Sequence, residues 1–540
     1  MSKILTMSKI LTNISLVMEV EIMCNVSSKN IIGKVVFSRD VNEFEFIVEK
    51  SVLDNVKKGE FIVTKNAKGD LILSKIKKIL STNALIKNKL DDAGELADVT
   101  IYSEDILKKS AGFLASAKVL GVINNESMEI ESNVYPINVL ENVYLTDNGL
   151  LKRIFSNGSI EVGVLKTRKS IKVKLNAKEL CSRHFAILAM TGAGKSNTVA
   201  VLVQELFERA KGKMNIVIID PHGEYVKMRN THILPAKLNP ILIPEEHLAK
   251  LLSIGENSSV QKSFLIYAAS TVKYEVKISK KQISGIEYLR KIEEKLIEWA
   301  DIIANSNGGR ITIDYYDGTR WRRKTVKKDE EMSINRVIEK LRWFINKNKN
   351  ILGSNEGMFD VRSDKINVLP LQKIEDEEAI TIVGEFLKRA LKERIKAVHG
   401  EEVEIKAFEK QTLLIIEEAH IFAAKNLKDR SGYWISRIAK EGRKFGVGLG
   451  LVSQRPKELN PTVLSQMNTK IILKIVEPTD QKYILESSEN VGEDLLQDLP
   501  QLSTGEAIIV GSSLPLPVLV KIKKYDGVLG GEDGFKNLNI

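Results

Sequence analysis

The sequence predicts a multidomain chain, a small N-terminal β-barrel or sandwich followed by a larger α/β core built on a mostly parallel sheet. Three observations carry this expectation. From about Val17 to Leu165, short apolar or alternating runs are broken by turn residues, the pattern of closely spaced strands. From Ile171 onward, longer helical stretches alternate with apolar runs, which implies strands covered on both faces by helices. At Ala189-Met-Thr-Gly-Ala-Gly-Lys-Ser196, a glycine-containing loop separates the apolar run Phe185 to Leu188 from a helix-patterned segment, Asn197 to Glu208.

The chain opens on Met1-Ser-Lys-Ile-Leu-Thr6, repeated as Met7 to Thr12, and residues 1–16 are assigned no structure. In the region 17–165, Lys34–Ser38, Glu43–Val48, Glu60–Thr64 and Asp70–Ser74 read as strands, with Asn66 to Asp70 as a hairpin turn. The core occupies 166–243 and 349–500, with Ile216–Ile219, Leu413–Ile416, Val447–Val452 and Ile471–Ile475 as buried strands. Residues 244–348 interrupt that rhythm. Gly285 to Asn305 is an amphipathic helix, Gly309 to Arg323 a hairpin turning at Asp317-Gly318, and Ser333 to Lys347 a helix with Ser333 as its N-cap. Residues 501–540 form a C-terminal extension that returns to strands, where Pro515 and Pro517 limit pairing.

A chain of 540 residues is too long for one ordinary domain. Its net charge of +11 is compatible with a polyanionic partner, although charge alone does not place the lysines on one face. Cys24 and Cys181 are the only cysteines, which excludes a disulfide framework or a cysteine-rich metal site and fits a reducing cytoplasm. The scattered histidines lack metal-ligand spacing. No apolar run reaches the roughly 18 residues of a membrane span, and the start lacks a signal-peptide hydrophobic region. The Lys-, Glu- and Ile-rich composition suggests a thermophile.

The loop at 189–196 has the chemistry of a triphosphate cradle. Backbone N–H groups of Thr191, Gly192, Ala193, Gly194, Lys195, Ser196 and Asn197 converge at a helix N-terminus. Lys195 would reach the β- and γ-phosphates of ATP and Ser196 would ligate Mg²⁺. Ala189 stands where the usual pattern has glycine; one methyl is tolerated if its φ is negative. Leu413-Leu-Ile-Ile-Glu-Glu-Ala-His420 has the shape of a Walker B strand. There Glu417 would help hold Mg²⁺ through a water, and Glu418 would act on the attacking water as general base. At the end of another strand, in Ile216 to Tyr225, Asp220 and Glu224 would lie near the nucleotide; a structural turn built on Pro221 and Gly223 is the competing reading. Gln454, ending the run Gly450 to Pro456, is a candidate γ-phosphate sensor. Arg443 is either a cation at a helix C-terminus or an arginine finger for a neighbouring subunit, and Arg183 is a second candidate. In the basic run Arg320 to Lys328, Trp321 could stack on a base, but a solvated hairpin edge is the favoured reading.

Taken together, Arg183-His-Phe-Ala-Ile, Thr191 to Thr198, Asp220-Pro-His-Gly-Glu-Tyr225, Ile416-Glu-Glu-Ala-His420, Gly442-Arg-Lys-Phe-Gly446 and Ser453-Gln-Arg-Pro456 resemble the HerA family. These are hexameric, mostly archaeal DNA helicase-translocases of the HerA/FtsK superfamily. The resemblance spans nearly the whole chain, and Gly505 to Gly511 resembles the family's C-terminal region. It implies a HAS-type barrel, a RecA-like P-loop NTPase core with a helical insertion, and use of ATP and Mg²⁺. It further implies that Lys195 and Ser196 are the Walker A residues, Glu418 the catalytic glutamate, Glu417 its metal-side partner, Arg443 the trans-acting finger, Arg183 a nucleotide-sensing arginine and Gln454 the sensor. The implied activity is that of an ATP-hydrolysing homo-hexamer around DNA, engaging double-stranded ends and single strands. The implied partners are a NurA-type nuclease and the Mre/Rad break-processing complex, in double-strand break end resection, with a cytoplasmic, nucleoid-associated location and no membrane. The alternatives are another DNA-pumping ATPase of the superfamily, which would usually carry membrane spans or a dedicated DNA-reading domain, and an ATP-gated scaffold for a nuclease, against which Glu418 argues.

Overall fold

Alternation of buried and exposed side chains closes the first strands into a barrel. In the computed structural model these are β1 (Ile31–Ser38), β2 (Glu43–Val48), β3 (Phe61–Lys65), β4 (Leu71–Asn83), β5 (Ala111–Ile123), β6 (Ile130–Glu131) and β7 (Asn142–Leu145). Their order is β2-β1-β7-β3-β4-β5-β6, and β2 also pairs with β5, so six strands close the ring and β6 lies outside it. Phe44, Phe46 and Val48 of β2 point inward while Glu45 and Ile47 do not, the period of two that a half-buried strand requires. The Asn66 side chain builds the β3–β4 turn by accepting the N–H groups of Lys68 and Asp70.

The structure describes residues 30–83, 111–124, 129–255, 257–280, 283–306, 311–353, 356–423, 431–488 and 497–530. The duplicated opening and Cys24 lie outside them. The chain divides into two compact units, the first comprising residues 1–209, 454–457 and 464–526, the second residues 210–453, 458–463 and 527–540.

After the barrel come β8 (Ile160–Leu165), β9 (Lys172–Leu175), β10 (Phe185–Leu188), β11 (Met214–Asp220), β12 (Thr231–Ile233), β13 (Ile311–Tyr316), β14 (Trp321–Val326), β15 (Ile366–Pro370), β16 (Gln411–Ile416), β17 (Val447–Ser453), β18 (Thr469–Ile472), β19 (Glu506–Gly511) and β20 (Val518–Ile522). In the first unit, β10 and β18 pair in parallel. Beyond them β18-β19-β20-β8-β9 run antiparallel. Strand β8 therefore departs from the sequence expectation, which placed residues up to 165 in the barrel. Its alternating apolar residues suit either sheet; the choice is made by hydrogen bonds to a strand more than 350 residues later, where a Cβ on Gly163 would meet the Lys521 carbonyl oxygen at 2.1 Å. A buried ion pair, Arg168 to Glu60 at 2.9 Å, ties the β8–β9 turn to the barrel. Helix α1 (Lys195–Ala210) follows β10 and buries Val199, Val201, Leu202 and Leu206.

In the second unit β12-β15-β11-β16-β17 are all parallel. The apolar runs of β15, β11, β16 and β17 are buried, β17 at every position, as expected for strands covered on both faces, while the edge strand β12 is partly exposed. Between β12 and β15 lie α2 (Ser259–Ser279), α3 (Gly285–Ala304), the β13–β14 hairpin and α4 (Glu330–Lys347). Helix α4 starts three residues before the Ser333 cap that the sequence suggested. Asp329 is the N-cap and makes no side-chain cap hydrogen bond, while the Glu330 carboxylate accepts the Lys327 N–H of the preceding turn at 2.8 Å. Glu330 and Glu331 also place negative charge in the first turn, where the helix dipole favours it. Helices α5 (Asp376–His399) and α6 (Ser431–Phe445) follow β15 and β16 and pack together.

Candidate functional site

The phosphate-loop residues leave the end of β10 in a conformation open to only a few residue types. Gly192 and Gly194 have φ of 77° and 100°, the left-handed region that glycine enters without steric cost. Ala189 keeps φ out of the positive range, so its methyl is tolerated where the pattern usually has glycine. No heavy atom approaches within 4 Å of a Cβ built on Gly192. Lys195 heads α1 and is buried, and the first turn of the helix carries no acid. The loop is braced from behind: the Gly505 N–H donates to the Ala193 carbonyl at 2.9 Å, and the Met190 N–H to that of Lys474 at 2.9 Å. The Asn197 side chain is engaged away from the loop. Its amide donates to the Lys523 carbonyl and accepts the Tyr525 N–H, so both ends tie down the C-terminal strand segment.

At the end of β16, Glu417 and Glu418 are both only 3% exposed. The Glu417 N–H donates to Ile219 of β11 at 3.0 Å, and its carboxylate accepts the hydroxyl of the fully buried Tyr225. Burial, reinforced by the Glu417 and Glu224 charges, pushes the Tyr225 phenol well above the usual tyrosine range. Asp220, at the end of β11, accepts the N–H groups of Gly223, Glu224 and Tyr225 at 2.8, 3.1 and 2.9 Å. Burial raises its pKa, against the opposing pull of those three donors. Asp220 thus shapes the turn that presents Glu224 and Tyr225. One Glu224 carboxylate oxygen is buried with no hydrogen-bond partner among the described residues.

Glu418 adopts the left-handed conformation, φ 44° and ψ 46°, uncommon for a residue with a side chain and frequent at functional sites. His420 Nδ1 lies 3.3 Å from its carboxylate and 3.3 Å from the Ser453 hydroxyl. One residue further along, Gln454 accepts a hydrogen bond from the Thr191 hydroxyl of the phosphate loop. Arg443 is exposed in the last turn of α6. Arg183 precedes β10 and pairs with Glu179 at 2.8 Å.

Comparison with known proteins gives this geometry its context. A family model described as "Helicase HerA, central domain" matches residues 160–390. A "probable helicase" of Methanocaldococcus jannaschii is 82% identical over 513 residues, 94% of this chain and 99% of the relative. A "DNA double-strand break repair helicase HerA" of Pyrococcus furiosus is 36% identical over 534 residues, 91% of this chain and 93% of its own. The chain belongs to the HerA helicase family. Among solved structures, the plasmid coupling protein TrwB in complex with a non-hydrolysable ATP analogue is 12% identical, over 72% of this chain and 94% of that one, with a TM-score of 0.46.

Two features of this HerA chain escape a reading of the sequence. Tyr225 sits in a recognisable motif without an evident role, and His420 closes the Walker B segment without one. Their partners, Glu417 for one and Glu418 with Ser453 for the other, are apparent only once β11, β16 and β17 lie side by side. The only available signal is an aromatic residue and a histidine next to strand-end carboxylates. Three of the six basic side chains of the run Arg320 to Lys328 are paired. Arg322 pairs with Asp317 at 2.5 Å, Arg323 with Asp314 at 2.8 Å and Lys324 with Glu330 at 3.3 Å. Half-exposed Trp321 packs edge-on against Tyr274 and Tyr316. Positive charge gathers elsewhere, in a cleft of about 1610 Å³ in the first unit. Its described lining carries ten Lys and Arg against four Asp and Glu, with Arg183 in its wall. No described helix is long and apolar enough to cross a membrane.

Proposed function

We propose that this HerA-family chain is an ATP-driven DNA helicase/translocase that assembles as a homo-hexameric ring around DNA. It would act on double-strand break ends with a NurA-type nuclease, beside the Mre/Rad complex, in a cytoplasmic, nucleoid-associated setting. The barrel β1–β7 is its HAS-type domain, and β13–β14 with α2–α4 the insertion in its RecA-like core. The observation that carries the reading is the buried Glu417–Glu418 pair ending β16. Burial of two adjacent carboxylates is costly unless it serves a site.

The residues fit ATP and Mg²⁺. Space at Gly192, a buried Lys195 and an acid-free first turn suit a triphosphate on the N–H groups of residues 191–196. Among the described residues no three acidic, histidine or cysteine side chains cluster to hold a metal. Mg²⁺ would therefore be held by the phosphates and Ser196, with Glu417 acting through water. When bound, it neutralises charge between the β- and γ-phosphates. Lys195 orients the γ-phosphate, Glu418 accepts the proton of the attacking water, and Gln454 senses the γ-phosphate from its place beside Thr191. Arg443 and Arg183 complete a neighbour's site, which makes each interface head-to-tail and lets the ring close. Asp220 acts through the turn it builds, Glu224, one of whose oxygens is buried, would lie near the nucleotide, and the Asn197 side chain anchors the C-terminal segment. The basic cleft supports a polyanionic partner contacted without regard to sequence.

Native mass measurement with and without duplex DNA, combined with an ATPase assay, tests the reading. A ring whose hydrolysis rises on DNA supports it. A monomer hydrolysing ATP at full rate, indifferent to DNA, rules it out.

A further inference from the structure

We infer that His420 is a positioning residue for Glu418, holding it through an imidazole N–H for which Ser453 competes. This rests on Glu418 being the general base. The three side chains meet because β16 and β17 pair in parallel with Ile416 opposite Leu451. That register puts Glu418 and His420, just past β16, next to Ser453, the last residue of β17. Glu418 and Ser453 are buried, and only 16% of the His420 side chain is exposed.

Two approaches converge on one atom. Nδ1 of His420 lies 3.3 Å from the Ser453 Oγ with hydrogen-bond geometry, and 3.3 Å from the Glu418 Oε2 as an ion-pair distance. Facing an ionised carboxylate, Nδ1 carries the proton, because a bare nitrogen would set its lone pair against the negative charge. A single N–H makes one well-aligned bond at a time. It can point at Ser453 or at Glu418, and in the second case it helps to fix that carboxylate. The Ser453 hydroxyl can take either part in such an exchange, since it donates as well as accepts.

The peptide bond links this exchange to the phosphate loop. Ser453 is followed by Gln454, whose side-chain oxygen accepts from Thr191. No proton leaves the imidazole; only the direction of its hydrogen bond changes.

The test uses the full chain with duplex DNA. It measures ATP hydrolysis across ATP concentrations and binding of a fluorescent ATP analogue. His420→Ala should lower kcat about 100-fold, the scale of a misplaced catalytic group, while KM and analogue affinity stay within about threefold. His420→Asn retains a donor near the Nδ1 position and should recover at least about tenfold of that loss. The double variant His420→Ala/Ser453→Ala should be no slower than His420→Ala alone, because both act on one N–H. Unchanged kcat in His420→Ala, no recovery in His420→Asn, or losses that multiply would each overturn the inference. If His420→Ala does not fold, His420→Asn against His420→Gln decides: the shorter amide should be faster, and equal rates refute the role. Glu418→Gln, run alongside, separates the two levels. Hydrolysis surviving in Glu418→Gln removes the general base itself, whereas a dead Glu418→Gln with an unimpaired His420→Ala removes only the positioning role.

Discussion

The hydroxyl of Tyr225 donates to the carboxylate of Glu417 in a region closed to solvent. That bond joins the turn after β11 to the acidic end of β16, so the Glu417 carboxylate is fixed by a residue from a neighbouring strand. Replacing Tyr225 with Phe should cost about 1.5–3 kcal/mol, the range for a hydrogen bond to a charged group, read as a lower denaturation midpoint. The pH dependence follows from the raised phenol pKa. The folded chain keeps this proton at a pH where an unfolded tyrosine, with a pKa of about 10, loses it. The contribution is therefore intact below pH 10 and lost as pH rises from there towards the folded value. Stability should fall above about pH 10, and the fall should be shallower in Tyr225→Phe.

Glu418→Gln should cut hydrolysis by about 10²–10⁴-fold, the usual worth of a general base, while ATP still binds. Equilibrium binding of a fluorescent analogue and steady-state turnover measure the two separately. Turnover near the wild-type rate would mean that another group takes the water's proton.

Arg443→Ala should lower kcat by about 10³–10⁵-fold, the range for an arginine finger, with little change in nucleotide affinity. Mixing Arg443→Ala with Glu418→Gln protomers should recover activity, because some interfaces then pair an intact arginine with an intact glutamate. Mixtures as inactive as either parent would place Arg443 outside the neighbouring site.

Charge reversal at Arg322, Arg323 and Lys324 should leave DNA-stimulated hydrolysis within about twofold, as for surface substitutions away from a site. Their charges are already matched by Asp317, Asp314 and Glu330, and the exposed pairs of Arg322 and Arg323 contribute only about 0–1 kcal/mol each. Loss of DNA stimulation in a folded triple variant would assign the hairpin to DNA.

Asn197→Ala removes two hydrogen bonds to the segment at Lys523 and Tyr525 and should cost about 1–3 kcal/mol at 0.5–1.5 kcal/mol each. Thermal unfolding measures this. Nucleotide affinity should suffer far less than in Lys195→Ala; equal losses would return Asn197 to the phosphate cradle.

The parts of the site that follow from local chain chemistry are legible in the amino-acid sequence alone. The glycine loop, the strand-end carboxylates and the amphipathic helix α3 each depend on residues close together along the chain. What stays hidden there depends on distant pairing. Strand β8 joins the core sheet because of β20. Asp220 builds the local turn that the sequence offered as the competing reading, whereas the Asn197 side chain holds backbone groups more than 300 residues away, which no short motif specifies. The same applies to Tyr225 and His420, whose meaning comes from the strand next door.

The Ala193 carbonyl leans on the N–H of Gly505, and Asn197 grips the backbone at 523–525. The tail strands are therefore rigging for the loop that would grasp the phosphates: three hydrogen bonds moor it to residues more than 300 positions further along the chain.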